Sequence, residues 1–407
     1  MKKFYIKKVI SYISIIIISI FITIYMYEFY LSSKFLISQR EHAIQIANKN
    51  KIAYDKRTKL EIYKENLKNK NSSVVPVTGT DFLTTNIDNN ELILSGISNS
   101  HTIFCNESGY WTYYESDRFG FNNPDSVWDK SKDIILIGDS NVHGGCVKRK
   151  NSIAGKLRLF SKKNVLNLGM SSNGPLLNFI TYKEFGNYEN SIVIFFYSEE
   201  NDIGDLLSEI KVDRLNVYLK KENFTNNLKF KVDQTDMFAQ KIIEKRYNDK
   251  NKSFSNFIKD FKYFIKLTRS RKYITLRTNG KIKLMNIQDL KQHDTKSLAL
   301  FFNLLNKLVL ETNKKDSTFI FVYKPSREFY DKNVNIKLNR SKFNSELKPE
   351  IINFLEKQNI NYIDLHKELS KRKIDMLDLY PFRIRSHFNK EGQELVAEII
   401  NRYINQL

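Results

Sequence analysis

The chain contains little of what small or repetitive folds depend on. It has 14 glycines, 6 prolines and 2 cysteines in 407 residues, which excludes collagen-like proteins and small scaffolds held together by many disulfides. Wholesale disorder is excluded as well, because 41% of the residues are hydrophobic and 13% are aromatic, enough to bury a core. The length fits one large α/β domain with additions.

Acidic residues are in the minority. The chain has 66 Lys and Arg against 45 Asp and Glu, and its formal net charge is +21. Such an excess suits nucleic acid, anionic lipid or acidic polysaccharide as a partner, or it reflects only a composition rich in lysine. The basic residues are spread along the chain without an arginine-rich block or zinc-finger spacing. The charge alone therefore identifies no partner.

Residues 9–27 contain no charged side chain. A bilayer core about 30 Å thick is crossed by a helix of about 20 apolar residues. The four lysines in residues 1–8 predict a cytoplasmic N-terminal tail, with the rest of the chain exported. Because no small-residue cleavage site follows, we predict a transmembrane signal anchor and a single-pass membrane protein, periplasmic or on the cell surface. This placement argues against nucleic acid as a partner.

The two cysteines are Cys105 and Cys146. Compartments outside the cytoplasm permit disulfides, so the sequence predicts a disulfide between these two cysteines. The alternative is two unrelated buried thiols. Closing a loop of this length contributes about 4 kcal/mol to the free energy of unfolding in the chain-entropy model.

Two segments precede the main domain. Residues 28–90 are polar and rich in lysine, and they predict a helical stalk followed by a looser linker. Residues 91–130 are rich in aromatic side chains and predict a collar of short strands and turns.

Residues 131–407 predict an α/β domain with a parallel sheet covered by helices on both faces. Five short apolar runs have the length and β-branched content of buried parallel strands. They are Ile134–Ile137, Asn164–Leu168, Ile192–Tyr197, Thr318–Tyr323 and Asn361–Leu365. Stretches of helical spacing lie between them. Residues 204–289 interrupt this alternation and predict an inserted helical subdomain.

Chemically useful side chains follow the predicted strands. Ligands of open parallel sheets bind beyond the carboxyl ends of the strands. Gly138-Asp139-Ser140 follows the first strand, residues 167–174 contain the loop after the second, and Asn201 follows the third. His387 precedes the last helix. A serine nucleophile needs a base, and an oxyanion needs two or three donors about 3 Å away; these segments supply each requirement once.

These blocks resemble the SGNH (GDSL-type) hydrolase superfamily, in its membrane-anchored bacterial extracytoplasmic form. Gly138-Asp139-Ser140, Asn167…Gly174, Asn201-Asp202 and His387 occur in the order of that family. Residues 116–124 also resemble a collar that precedes the first block in some members. The resemblance covers about residues 100–407. It implies a flavodoxin-like three-layer fold and hydrolysis or transfer of acyl groups at esters, without a metal or cofactor.

The resemblance also implies roles for individual residues. Ser140 would be the nucleophile and His387 the base. The implied oxyanion donors are the N–H of Ser140, the N–H of Ser172 or Gly174, and the side chain of Asn201. Each of these residues has a simpler interpretation, since a serine can cap a helix, a histidine can contact a helix N-terminus, and an asparagine can stabilise a turn.

Two positions depart from the family pattern. Ile384 stands where members usually carry an Asp three residues before the histidine, and Ser172 stands where a glycine is usual. His387 would then be oriented by Asp378, by a backbone carbonyl, or by nothing, in a Ser-His dyad. His143 is close in sequence to the nucleophile and is a further candidate for the site.

The sequence thus predicts a membrane-anchored extracytoplasmic serine esterase. From family and location, its expected substrates are O-acyl groups, often O-acetyl, of cell-envelope glycans. Two alternatives stay open. One is an O-acyltransferase on the same fold. The other is a catalytically silent protein that binds acidic polysaccharide, a hypothesis that Ile384 and the net charge of +21 motivate.

Overall fold

The structure is a computed structural model with two compact units. One comprises Met1–His42 and Asn248–Asn286, and the other, the main unit, comprises Ala43–Tyr247 and Ile287–Leu407. The residues that the structure describes are 2–35, 39–68, 73–84, 92–248, 258, 261–268, 270–271, 287–331 and 347–407.

The main unit is built on a parallel sheet of five strands. The strands among the described residues are β1 (Ser73–Val74), β2 (His101–Ile103), β3 (Tyr113–Glu115), β4 (Ile134–Ile137), β5 (Val165–Asn167), β6 (Ile192–Ser198), β7 (Thr318–Lys324) and β8 (Asn361–Asp364). The large sheet has the order β5-β4-β6-β7-β8, with all four pairs parallel. All five predicted strands are confirmed. In the small sheet, β2 lies between β1 and β3.

The described residues also form α-helices, which belong to both units. They are α1 (Lys2–Phe35), α2 (Gln39–Lys49), α3 (Lys59–Lys68), α4 (Gly79–Thr84), α5 (Ser140–His143), α6 (Ile153–Ser161), α7 (Pro175–Thr181), α8 (Asp202–Glu209), α9 (Asp213–Lys220), α10 (Val232–Asn248), α11 (Ile287–Asn313), α12 (Lys348–Lys357), α13 (Leu365–Ser370) and α14 (Lys390–Ile404).

Side chains alternate between the two faces of the large sheet. In β4, Ile135 and Ile137 join one core cluster, whereas Ile134 and Leu136 join the other. The first cluster also contains side chains from α7 and α11, and the second contains side chains from α6 and α14. This period of two buries both faces, as a parallel sheet requires. The predicted α/β class is therefore confirmed.

Most of the chain that precedes the large sheet belongs to the main unit. Of residues 28–90, interpreted as stalk and linker, Ile62 and Val75 are buried in the first core cluster. The main unit thus begins at position 43, well before the first strand. Residues 36–38, 69–72 and 85–90 of this region lie outside the described residues.

The predicted insertion over residues 204–289 is divided between the two units. The helices α8, α9 and α10 belong to the main unit, where α8 and α9 contact α7. Residues 248–286 belong with the N-terminal helix, where the Ser270 N–H donates to the buried Glu28 carboxylate at 2.7 Å. Parts of the insertion lie outside the described residues: 249–257, 259–260, 269 and 272–286.

The predicted membrane span falls in α1. Its segment Lys8–Leu31 is long and apolar enough to cross a membrane, by length and composition. A signal sequence near an N-terminus has the same properties.

Aromatic packing and one disulfide connect the collar, residues 91–130, to the rest of the domain. The ring of Phe121 is buried and lies 5.1 Å from that of Phe185, centroid to centroid. Cys105, just after β2, is bonded to Cys146 with a Cα–Cα distance of 5.3 Å. Part of the collar is thereby fixed beside the segment that follows α5.

Candidate active site

Ser140 lies at the carboxyl end of β4, on a turn that requires glycine before it. A Cβ on Gly138 would lie 2.7 Å from the side chain of Val142 and 2.9 Å from Cβ of Phe196. The carboxylate of Asp139 caps α5 by accepting from the Asn141 N–H at 3.0 Å. Ser140 is then the first residue of α5, where a backbone N–H has no carbonyl acceptor within the helix.

Ser140, His387 and Glu107 form a hydrogen-bonded chain. The Oγ of Ser140 lies 2.7 Å from Nε2 of His387, and Nδ1 of His387 lies 2.9 Å from Oε1 of Glu107. Because an ionised carboxylate only accepts hydrogen bonds, Nδ1 carries the ring proton and the lone pair of Nε2 faces the serine hydroxyl. A general base for serine needs this tautomer.

Charges around His387 favour an ionised Glu107. Its side chain is only 6% exposed, and Arg385 Nη2 donates to the same Oε1 at 3.1 Å. Burial raises the pKa of Glu107, but His387 and Arg385 outweigh burial and leave that pKa below its usual value. Burial lowers the pKa of His387, but the charge and hydrogen bond of Glu107 outweigh it and leave that pKa above its usual value.

Glu107, rather than Asp378, faces His387. The Asp378 carboxylate is 63% exposed and pairs with the Arg383 guanidinium. Ile384 occupies the position where the family carries its acid. It lies in a turn, and its own N–H donates to the carbonyl of Pro381 at 3.3 Å. Glu107 therefore takes the orienting role that the sequence suggested for Asp378.

Glu107 does not stand out in the sequence, because it lies in the collar, far from the histidine along the chain. One signal pointed to it. Cys105 is two residues before Glu107, and Cys146 is six residues after Ser140. A disulfide between these cysteines brings the collar carboxylate close to the serine.

The predicted oxyanion donors follow three adjacent strands, β5, β4 and β6. The Gly174 N–H donates to Oε1 of buried Glu209 at 2.6 Å, so this amide is engaged elsewhere, and Ser172 is the backbone candidate on that loop. Ser172 has φ of 63°, in the left-handed region that favours glycine. The Asn201 amide donates one N–H to Asp205 at 2.6 Å.

His143 supports the loop of Ser172 instead of serving as the base. It is fully buried, and burial lowers its pKa to about 3, so the ring is neutral. The Ser171 N–H donates to its Nδ1 at 3.2 Å. Its Nε2 therefore carries the proton and donates to the Tyr114 hydroxyl at 3.0 Å.

Replacing His143 by phenylalanine is expected to lower the free energy of unfolding by about 2–4 kcal/mol. The change keeps an aromatic ring but leaves the Ser171 N–H and the Tyr114 hydroxyl buried without their partner. Urea unfolding of the variant and wild type measures the difference. The comparison variant Tyr114→Phe leaves only one group, the His143 Nε2–H, buried without its partner and should cost about half as much, roughly 1–2 kcal/mol. Equal stabilities for all three proteins would show that His143 does not brace the loop.

The collar segment 116–124 also holds the loops of the site. The Asn122 amide donates to the His143 carbonyl at 2.9 Å, directly after the nucleophile. The Asn123 amide donates to the Asn167 carbonyl at 2.8 Å, directly before the oxyanion loop. The collar thus fixes the ends of β4 and β5 relative to each other.

Three possible metal ligands meet here. One donor atom each of Glu107, Cys146 and His387 lies within 4.8 Å of the others. However, the Cys146 sulfur is bonded to Cys105, and Glu107 and His387 are hydrogen-bonded to each other. This donor set fits an acid–histidine–serine chain better than a metal centre.

No family model and no curated protein matches the chain. Among solved structures, it is similar to a lipolytic protein of the G-D-S-L family from Desulfitobacterium hafniense. The two share 14% identity with a TM-score of 0.34, over 67% of this chain and 99% of the other. The geometry of the site therefore carries the functional conclusion.

Proposed function

We propose that the chain is a serine esterase of the SGNH type, which cleaves carboxylic esters through Ser140. One observation carries this proposal: Ser140 Oγ lies 2.7 Å from Nε2 of His387, whose Nδ1 lies 2.9 Å from Glu107. The chain of hydrogen bonds ends at the carboxyl edge of a parallel sheet, where open α/β folds bind ligands.

The contacts support acyl transfer in two steps. As Oγ of Ser140 attacks the ester carbonyl, Nε2 of His387 takes the hydroxyl proton, and Glu107 stabilises the imidazolium. His387 then gives that proton to the leaving alcohol, and the acyl group stays on Ser140. Water attacks this acyl-enzyme with His387 again as base, which releases the acid and restores the serine.

Donors for the oxyanion come from the strand ends. The Ser140 N–H, the Ser172 N–H and the Asn201 amide are the candidates in this proposal. Two of them are backbone groups fixed by the loops that His143 and the collar support. Fixed donors of this kind stabilise the negative charge without reorganising during the reaction.

We further propose that α1 anchors the enzyme in a membrane, with its N-terminus in the cytoplasm and its main unit outside. The apolar segment Lys8–Leu31 and the preceding lysines support this orientation. The disulfide suits an oxidising compartment. In that location, O-acyl groups of cell-envelope glycans, O-acetyl above all, are the proposed substrates.

The alternatives differ in how much the site favours them. An O-acyltransferase would form the same acyl-Ser140 and pass the group to a sugar hydroxyl instead of water. The hypothesis of a silent polysaccharide-binding protein rests on Ile384 in place of an acid and on the net charge of +21. Since Glu107 takes that role next to His387, we favour an active enzyme.

An acyl-enzyme on Ser140 is the expected result when the full-length protein in detergent meets a nitrophenyl acetate. The nitrophenol release should show a burst, because acylation by an activated ester outpaces hydrolysis. Mass spectrometry of the quenched protein should place the acetyl group on the peptide that contains Ser140. Adding a glycan acceptor then separates hydrolysis from transfer. A folded protein that never acquires an acetyl group on Ser140 would contradict the proposal.

A further inference from the structure

The disulfide joins the two segments that carry the ends of the hydrogen-bonded chain. Cys105 is two residues before Glu107, and Cys146 follows Ser140 by six residues. The Sγ of Cys146 lies 4.0 Å from Nδ1 of His387, the nitrogen that faces the carboxylate. The covalent bond is thus adjacent to the histidine–glutamate contact.

Cys146, at one end of this bond, is buried and closely packed. Cys146 is 5% exposed, and it follows two glycines in a tight turn. Gly145 has φ of 51°, and a Cβ there would meet the side chain of buried Gln393 on α14. Cys146 is therefore held in place beside His387. It lies just after α5, the helix that begins with the nucleophile Ser140.

Only one of the two Glu107 carboxylate oxygens has hydrogen-bond partners among the described residues. Oε1 accepts from both His387 and Arg385, whereas Oε2 is buried without a hydrogen bond among the described residues. A buried carboxylate oxygen without a partner favours any movement that returns it to water. The carboxylate thus needs another restraint to stay beside the histidine.

The loop that carries Glu107 is attached mainly to a segment outside the large sheet. The Asn106 amide donates to the Asp55 carbonyl at 3.0 Å, and the Asp55 N–H donates to the Gly109 carbonyl at 2.7 Å. These bonds connect the loop to the chain between α2 and α3. The disulfide connects the same loop covalently to the segment of the nucleophile.

We propose that the Cys105–Cys146 disulfide is a positioning element for catalysis, which holds the Glu107 carboxylate against His387. This inference rests on the proposed function. It assigns the disulfide a role in the rate of the reaction, in addition to its role in stability. The enzyme would reach full activity only after this bond forms.

The test reduces the folded, full-length wild type with dithiothreitol. Two electrons from the dithiol break the S–S bond, the cysteines take up two protons as thiols, and the reagent closes to its cyclic disulfide. The expected result is a fall in kcat for an activated acetyl ester by roughly 10²-fold, the size of effect that a misplaced catalytic group produces. KM should change little, because the proposed role of the disulfide is to orient the base and not to bind the ester. Circular dichroism confirms that the reduced protein stays folded.

The pH profile separates positioning from general weakening. Charged groups that act on His387 are Glu107, Asp139 and Lys324, with neutral His143 nearby. Loss of the Glu107 contact removes an interaction that raises the pKa of His387. The acid limb of kcat/KM should therefore move to lower pH on reduction. An NMR titration of the His387 ring follows the same change without relying on activity.

The Glu107→Gln variant is the decisive control, because it removes the group that the disulfide positions. Reduction should then change neither kcat nor the His387 titration further. The double variant Cys105→Ala/Cys146→Ala should match the reduced wild type. The inference is overturned if reduction leaves the wild-type rate and titration unchanged, or if it affects Glu107→Gln equally. An oxidised wild type without esterase activity contradicts the proposed function alone, and the NMR titration then still decides this inference.

Discussion

Replacing Ser140 with alanine is expected to lower kcat for an activated acetyl ester by roughly 10⁶-fold, to the level of the residual catalysis that binding and oxyanion donors provide. The reason is local. Ser140 Oγ is the atom that His387 Nε2 faces at 2.7 Å, and alanine supplies no nucleophile. Labelling by a fluorophosphonate, which reacts with activated serines, should be lost together with the rate.

The variant should fold as the wild type does. Asp139, not Ser140, caps α5, and alanine is the best helix former. Ser131→Ala serves as the control, since this exposed serine lies before β4, at the opposite end of the same strand. It should keep the wild-type rate and labelling. Esterase activity that survives in Ser140→Ala would show that another residue is the nucleophile.

The sheet could be predicted because each of its strands is a short apolar run of β-branched and aromatic residues. Such a run has to be buried on both faces, and a parallel sheet between two helix layers buries it in this way. The predicted bounds of β4 agree with the structure, and β6 and β7 are each one residue longer. Placing the strands also placed their carboxyl ends, which is why Ser140 and Asn201 could be assigned to one edge.

The partner of His387 could not be predicted, because no local pattern contains it. The family pattern puts an acid one turn before the histidine, and Ile384 occupies that position. Glu107 reaches the site only through the tertiary path of the collar and the disulfide. Gly174 failed as an oxyanion donor for a similar reason, since its acceptor, Glu209, comes from a helix beyond the next strand.

The collar is marked in the sequence by its aromatic residues. Its rings do pack as core, as in the contact between Phe121 and Phe185. The collar side chains that contact the candidate site are polar ones, namely Asn122, Asn123 and Glu107. Asparagine and glutamate are mostly exposed residues, so nothing in the sequence marks these three as buried. Their burial follows from hydrogen bonds to distant loops.

Changing Glu107 to glutamine should lower kcat by about 10⁴-fold, as loss of the orienting carboxylate does in serine hydrolases. Glutamine keeps the size of the side chain. However, its amide can donate to Nδ1 of His387, which would put the ring proton on Nε2, the atom that must accept from Ser140. Steady-state kinetics with an activated acetyl ester over a range of pH measures the effect. Asp378→Asn is the matched control, because Asp378 is exposed and pairs with Arg383, and it should keep the wild-type rate.

The pH dependence of activity tests the role of Glu107 independently of the size of the rate loss. His387 works as a base only when neutral, so activity falls as pH decreases through its pKa. Burial lowers that pKa, and Glu107 more than offsets burial. Removal of the carboxylate charge leaves burial dominant, so the acid limb of kcat/KM should move to lower pH while the plateau falls. A structural role for Glu107 would lower the plateau without moving the limb, and a large loss in Asp378→Asn instead would return the orienting role to that residue.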